Sequence, residues 1–134
     1  MLRPVEFVRK SELVTSHFGT WPSFHDSEVL RVELERADAC LLISLRAFEM
    51  SNAIDQKGNF RREKLCRIVL KFSQVDKLRL EDFNEQNVIS ELVIEKQSNN
   101  VEIAVSLRSS YGLSGSFVCR AAEVLCVEPI REEE

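Results

Sequence analysis

At 134 residues, with 44% hydrophobic and 30% charged positions, the chain has the makeup of one soluble folded domain whose core needs neither metal nor disulfide staples. Its formal charge of -4, from 18 basic and 22 acidic residues, leaves no positive surplus to neutralise phosphates, which argues against nucleic acid as a ligand. The longest apolar runs fall far short of the roughly 20 residues that cross a bilayer, and Met1-Leu2-Arg3-Pro4-Val5-Glu6 has no uninterrupted apolar stretch of the secretory kind, so no membrane and a cytoplasmic location are expected.

Val5 to Phe18 places Val5, Val8, Leu13 and Val14 at helical rather than strand spacing, and Gly19 supplies a C-terminal stop. The spacing predicts an N-terminal helical segment over 1–18, the helix starting as late as Arg9, that covers one face of a sheet with Leu13, Val14 and Phe18. Glu28 to Arg36 then alternates. Leu30, Val32 and Leu34 point one way and Arg31, Glu33 and Glu35 the other, as in a strand with one buried and one wet face. After a short turn at Ala37-Asp38-Ala39, Cys40 to Phe48 returns as its hairpin partner. Glu49 to Glu63, with Ser51, Asn52, Asp55, Gly58 and Asn59, reads as a long loop ahead of a solvated basic cluster at Arg61, Arg62 and Lys64.

Leu65 to Ser73 is a further strand and Val75 to Phe83 a short one. Asp82-Phe83-Asn84-Glu85-Gln86-Asn87 is a polar turn with one large apolar plug, Phe83; Asn and Asp accept such conformations by bonding their own backbone. Val88 to Lys96 and Val101 to Ser109 flank Ser98-Asn99-Asn100 as a second hairpin, setting Leu92 and Ile94 against Ile103 and Val105. Tyr111 to Phe117 holds two of the four glycines and reads as a bend or a close backbone approach. In the last strand, Phe117 to Glu128, the phase shared by Phe117, Cys119 and Ala121 is reversed at Val124 and Cys126, and a bulge at Ala121-Ala122 reconciles the two. Pro129 ends it, and 129–134 is a charged tail expected to fray. The sum is a single α+β domain over 1–134, with one N-terminal helix packed on a twisted, mainly antiparallel sheet of about seven strands across 28–128. Cys40, Cys66, Cys119 and Cys126 lie in apolar runs without CxxC spacing and are expected as reduced core thiols.

Chemically capable residues crowd into Trp21-Pro22-Ser23-Phe24-His25-Asp26-Ser27, a corner where helix hands over to sheet; it holds the only Trp and one of two His. His25 beside Asp26 is the sharpest candidate, since a carboxylate can orient an imidazole that acts as a general base near neutral pH. Neighbours on an extended chain point to opposite faces, however, and no second base, oxyanion loop or nucleophile elbow accompanies the pair. A structural, hydrogen-bonded His25 therefore outweighs a catalytic one. His17, His25, Asp26 and Glu28 follow no metal-binding spacing, and no phosphate-cradling Gly-rich loop occurs. No catalytic residue, metal or cofactor is assigned. Trp21 and Phe24 read as core plugs, although an exposed Trp21 beside His25 would anchor an interface. Tyr111, in a glycine-containing bend, divides evenly between burial and display.

With its flanks the corner reads Phe18-Gly19-Thr20-Trp21-Pro22-Ser23-Phe24-His25-Asp26-Ser27-Glu28-Val29. This resembles the signature of a family of small bacterial immunity proteins found with polymorphic toxin systems, the immunity protein 50 family. Asp82-Phe83-Asn84-Glu85-Gln86-Asn87-Val88-Ile89, Tyr111-Gly112-Leu113-Ser114-Gly115-Ser116-Phe117 and Val127-Glu128-Pro129 resemble it too, in matching order, from Phe18 to Pro129. Ser27 stands where the family pattern has alanine. The resemblance implies a non-enzymatic α+β domain that neutralises a cognate protein toxin by direct contact, with Trp21, His25, Asp26, Asn84 and Tyr111 as candidate contact residues. The acidic balance suits a basic toxin such as a nuclease. Two other readings stay open: a small hydrolase or a ligand- or metal-binding domain built on His25 and Asp26, and a homo-oligomeric scaffold, such as a homodimer, in which an uncovered sheet face or edge pairs with its own copy.

Overall fold

The computed structural model describes residues 3–54, 56–99 and 101–131; the charged tail from Glu132 onward lies outside them. Two short helices, α1 (Pro4–Phe7) and α2 (Glu12–Phe18), precede eight strands: β1 (Glu28–Glu35), β2 (Cys40–Ile54), β3 (Phe60–Ser73), β4 (Asp76–Glu81), β5 (Val88–Lys96), β6 (Ile103–Tyr111), β7 (Ser114–Cys119) and β8 (Ala121–Pro129). All eight pair antiparallel in one sheet, ordered β4-β7-β6-β5-β1-β2-β3-β8. This is the α+β architecture expected from the sequence.

The helical segment is divided because the chain between its two pieces is used as strand. The Arg9 N–H donates to the Ala122 carbonyl and the Arg9 carbonyl accepts from the Val124 N–H, each at 2.9 Å. That bridge covers part of the β8 edge, which would otherwise offer unpaired backbone groups to other chains. α2 ends as its sequence directs: Gly19 adopts φ 84 and its N–H closes on the Thr15 carbonyl at 2.7 Å. Val14 and Phe18, four apart on one face, are buried, whereas Leu13, expected on that face, lies on the exposed side.

The sheet folds over on itself. Phe72 on β3 meets Phe117 on β7 edge to face, with ring centres 5.1 Å apart, although several strands separate them in the sheet. One core results, with Leu41, Ile43, Leu45, Ile68 and Leu70 from one half-sheet, Ile89, Ile94, Ile103 and Val105 from the other, and Val14 and Phe18 from α2. Cys66 and Cys119 belong to it, and burial pushes their thiols up to about 12 and about 11, so at neutral pH both stay protonated and unreactive. All four cysteines are free; Cys126 alone is only half-buried.

Four stretches depart from the sequence reading. The expected loop over 49–63 is largely hairpin, with β2 running on to Ile54 and β3 starting at Phe60, and Met50 pairing with Arg62. Asp55 lies outside the described residues. Arg62 lies over the Phe48 ring at 4.8 Å, and Lys64 pairs with Glu49 at 3.0 Å, so these basic side chains lace the hairpin together. After Cys119 the chain is not one bulged strand. β7 pairs with β6 and β4, but β8 pairs with β3, so the phase reversal at Ala121 marks the crossing from one half-sheet to the other. In β1 a bulge between Val29 and Arg31 turns Val29 into the core, and Leu30 and Leu34, expected buried, are 44% and 63% exposed. Phe83, expected to plug its turn, is 62% exposed.

Candidate functional site

The corner joins the two half-sheets. β1 pairs with β5 through one residue pair, Glu28 with Val88, and the corner supplies the rest of the seam. Asp26 N–H donates to the Ile89 carbonyl at 2.9 Å, Ile89 N–H to Ser27 at 2.9 Å, Leu92 N–H to Ser23 at 3.0 Å and Val29 N–H to Asn87 at 2.7 Å. Phe24 and Asp26 both sit at φ 65. Side chains adopt that conformation at a cost of roughly 1 kcal/mol or more each. The seam bonds and the burial of Phe24 offset it. Trp21 is half-buried and meets the Phe24 ring edge-on at 5.7 Å.

His25 stands outside this seam. β5 bulges at Ser90, between Ile89 and Glu91, and the freed Ser90 carbonyl accepts from His25 Nδ1 at 3.1 Å. With Nδ1 donating, Nε2 can bond the Asp26 carboxylate, 3.4 Å away, only as the doubly protonated ring. The imidazole is 69% exposed, as a surface contact residue would be. His17 lies elsewhere, donating to the Lys64 carbonyl at 2.6 Å and so docking α2 on β3. Among the described residues no cluster of His, Cys, Asp or Glu could hold a metal, and no helix is long and apolar enough to cross a membrane.

Asn84 and Tyr111 lie at the other flank of the seam, where Val88 pairs with both Glu28 and Tyr111. The buried Asn87 side chain organises this flank. Its Oδ1 accepts from the Asn84 and Leu113 N–H groups, both at 3.0 Å, and its Nδ2 donates to the Asn84 carbonyl at 2.8 Å. Gly112, at φ 80, lies so close that a Cβ there would fall 2.4 Å from the Gln86 carbonyl oxygen and 2.8 Å from Asn87 Oδ1. The turn over 82–87 and the bend at 111–113 thus interlock, and their residues divide by role. Asn87, Gly112 and Leu113 face inward, while Asn84, Tyr111 and Phe83 are displayed.

Beside the corner runs a groove of about 330 Å³, lined by the apolar side chains of Phe18, Phe48 and Met50 together with His25 and Asp26. A second recess of about 380 Å³ lies on the Trp21 side, against β5 from Glu91 to Glu95. The structure therefore gathers Trp21, His25 and Asp26 around one corner and sets Asn84 and Tyr111 across the start of β5. Sequence reasoning missed Met50 as a groove residue because 49–63 reads as loop, missed Phe48 because strand alternation gives no sign of the corner packed beside it, and placed Phe83 inside. A turn of polar residues around one large aromatic carries no sign of which way that ring points.

The pattern of the family described as immunity protein 50 matches residues 10–130. The chain belongs to that family. A crystal structure of an uncharacterized protein from Neisseria gonorrhoeae aligns with 80% of this chain and 94% of its own, at 14% identity and a TM-score of 0.47. No curated protein matches the chain. Within the matched span, the geometry separates residues that build the fold from those left at the surface.

Ser27 shows the building kind. It is fully buried, and among the described residues its hydroxyl has no hydrogen-bond partner. An unpaired buried hydroxyl costs about 1–3 kcal/mol. Ser27→Ala is expected to raise stability by about 1 kcal/mol, read as a higher urea midpoint at unchanged slope. A lower midpoint would mean that the hydroxyl is bonded in solution.

Proposed function

We propose that this immunity protein neutralises a cognate protein toxin by direct, non-enzymatic contact, through a surface centred on the corner. The observation that carries the reading is the groove of about 330 Å³, which combines an apolar lining from Phe18, Phe48 and Met50 with the exposed imidazole of His25 and carboxylate of Asp26. Tight inhibition favours that combination, because a recess accepts a partner's anchor side chain while surrounding charges fix its orientation. Trp21 and its recess extend the surface on one side; Tyr111 and Asn84 extend it across the start of β5. The formal charge of -4 favours a basic toxin and speeds encounter with it. The reduced thiols suit action in the cytoplasm.

Affinity capture of the tagged chain from its native lysate, with mass spectrometry of what co-purifies, tests the reading. A stoichiometric, salt-sensitive partner carrying a toxin domain is expected with wild type and is expected to be lost with Trp21→Ala/His25→Ala. If that variant, still folded, retains the partner in full, the corner is not the contact surface.

A further inference from the structure

The corner occupies the β5 edge that β1 would otherwise cover, and this leaves part of β1 without a neighbour. Only Glu28 of β1 pairs with β5, and Val29 is the last residue bonded in that direction, through Asn87. From Leu30 to Glu35 the strand is paired on its β2 side alone among the described residues. Open edges recruit other strands unless something blocks them. The two ends of the sheet are treated differently. β8 is bridged by Arg9, and β4 is interrupted by a register shift between Asp76 and Arg79, with charged side chains at both positions and at Lys77. β1 instead exposes Leu30 and Leu34 at 44% and 63% along an unpaired edge.

The sequence of this edge is complementary to itself. We propose that the Leu30–Leu34 edge of β1 pairs antiparallel with the same edge of a second copy of the chain, about a two-fold axis at Val32. In that register Arg31 lies opposite Glu33 of the second copy and Glu33 opposite its Arg31. The four side chains alternate in charge on one face. Arg31 and Glu33 already lie on one face within a single chain, Nε to Oε1 at 2.6 Å, with 67% and 45% of their side-chain surface exposed and ready for an opposite partner. Leu34 lies opposite Leu30 of the second copy, so the two exposed leucines of each strand are covered together, and Val32 meets its own copy at the axis. A foreign strand would need matching charges at two positions to gain as much; the chain's own copy has them automatically. Directly opposed opposite charges favour a strand pair, and like charges disfavour it by a similar amount. One short strand pair buries little surface, so the dimer is weak and forms in the micromolar range. The proposal is independent of the toxin reading, since it uses none of the corner side chains.

Sedimentation equilibrium of the full chain from low micromolar to several hundred micromolar tests it, with Arg31→Glu, Glu33→Arg and the double swap alongside. Wild type is expected to approach the mass of two chains. Each single variant, which sets four like charges together, is expected to dimerise about tenfold more weakly or worse. Mixing the two single variants in equal amounts is expected to restore association as a heterodimer, and the double swap is expected to behave as wild type. That recovery separates pairing from misfolding, because a damaged fold would not be repaired by the oppositely charged variant. Wild type that stays at one chain's mass throughout overturns the proposal and leaves the edge to a strand of another protein. Dimerisation that is indifferent to both charge reversals, or a mixture that does not recover, overturns it equally.

Discussion

Replacing Asn87 with alanine is expected to destabilise the protein by about 3–5 kcal/mol, the larger share coming from backbone groups left unpaired in the interior. Asn87 is 3% exposed and serves three partners at once: the N–H groups of Asn84 and Leu113 and the carbonyl of Asn84. The Leu113 N–H is buried, so water cannot replace the lost acceptor. Removing one member of such a set costs more than its net contribution, because each former partner keeps its full desolvation penalty. Loss on this scale lowers the melting temperature by roughly 10 °C or more in a domain of this size. Thermal and urea unfolding would measure it. A loss under about 1 kcal/mol would show that the turn and the bend stay together without the amide.

Gly112→Ala is expected to cost about as much, roughly 3–5 kcal/mol, by a different route. Its φ of 80 is open to glycine and strained for alanine, and the added methyl would fall 2.4 Å from the Gln86 carbonyl oxygen and 2.8 Å from Asn87 Oδ1. Backbone does not yield as a flexible side chain does, so the 82–87 turn must move off the 111–113 bend and surrender the Asn87 bonds. The two substitutions therefore break one interlock. The double variant Asn87→Ala/Gly112→Ala is expected to lose clearly less than the two single losses added together, since once the turn has parted the methyl meets nothing. Additive losses would show two independent sites.

These two positions explain why the sequence was informative about the fold and uneven about the surface. Asn in a polar turn and Gly in a bend are conspicuous because their backbone chemistry is special, and both proved to be parts of one structural lock. The helix stop at Gly19, the first hairpin and the pairing of Ile94 with Val105 were legible for the same reason: local pattern and local conformation agree there. What escaped reading depends on contacts distant in sequence. Nothing near Leu30 or Leu34 records that β5 pairs with the corner at Ser23 to Ser27 and so leaves the far part of β1 uncovered. The alternation Leu-Arg-Val-Glu-Leu is the same whether its apolar face meets a core or an edge. Likewise, the Ala121 phase change looks alike for a bulge and for a strand that leaves one half-sheet to join the other. The polar residues over 49–63 hid a hairpin because that ladder rests on backbone pairing and on Arg62 over Phe48, which has no periodic signature.

The corner stood out as a candidate because rare residues meet in it, but its internal division was not legible. Ser23, Asp26 and Ser27 give their backbone to the seam, Phe24 and Ser27 are buried, and from Phe24 to Ser27 the His25 side chain is the most exposed, its ring bonded to the Ser90 carbonyl on a strand 65 residues away. On the proposed reading, the inward residues of the signature carry the fold and the outward ones carry recognition. Calorimetric titration of the captured toxin domain into wild type, His25→Ala and Tyr111→Ala, beside melting curves of the same samples, tests this most directly. The expected result is an affinity about tenfold weaker or worse for His25→Ala and Tyr111→Ala, with melting temperatures within about 2 °C of wild type. Wild-type affinity in both variants, or weakened binding that tracks a fall in melting temperature, would contradict it.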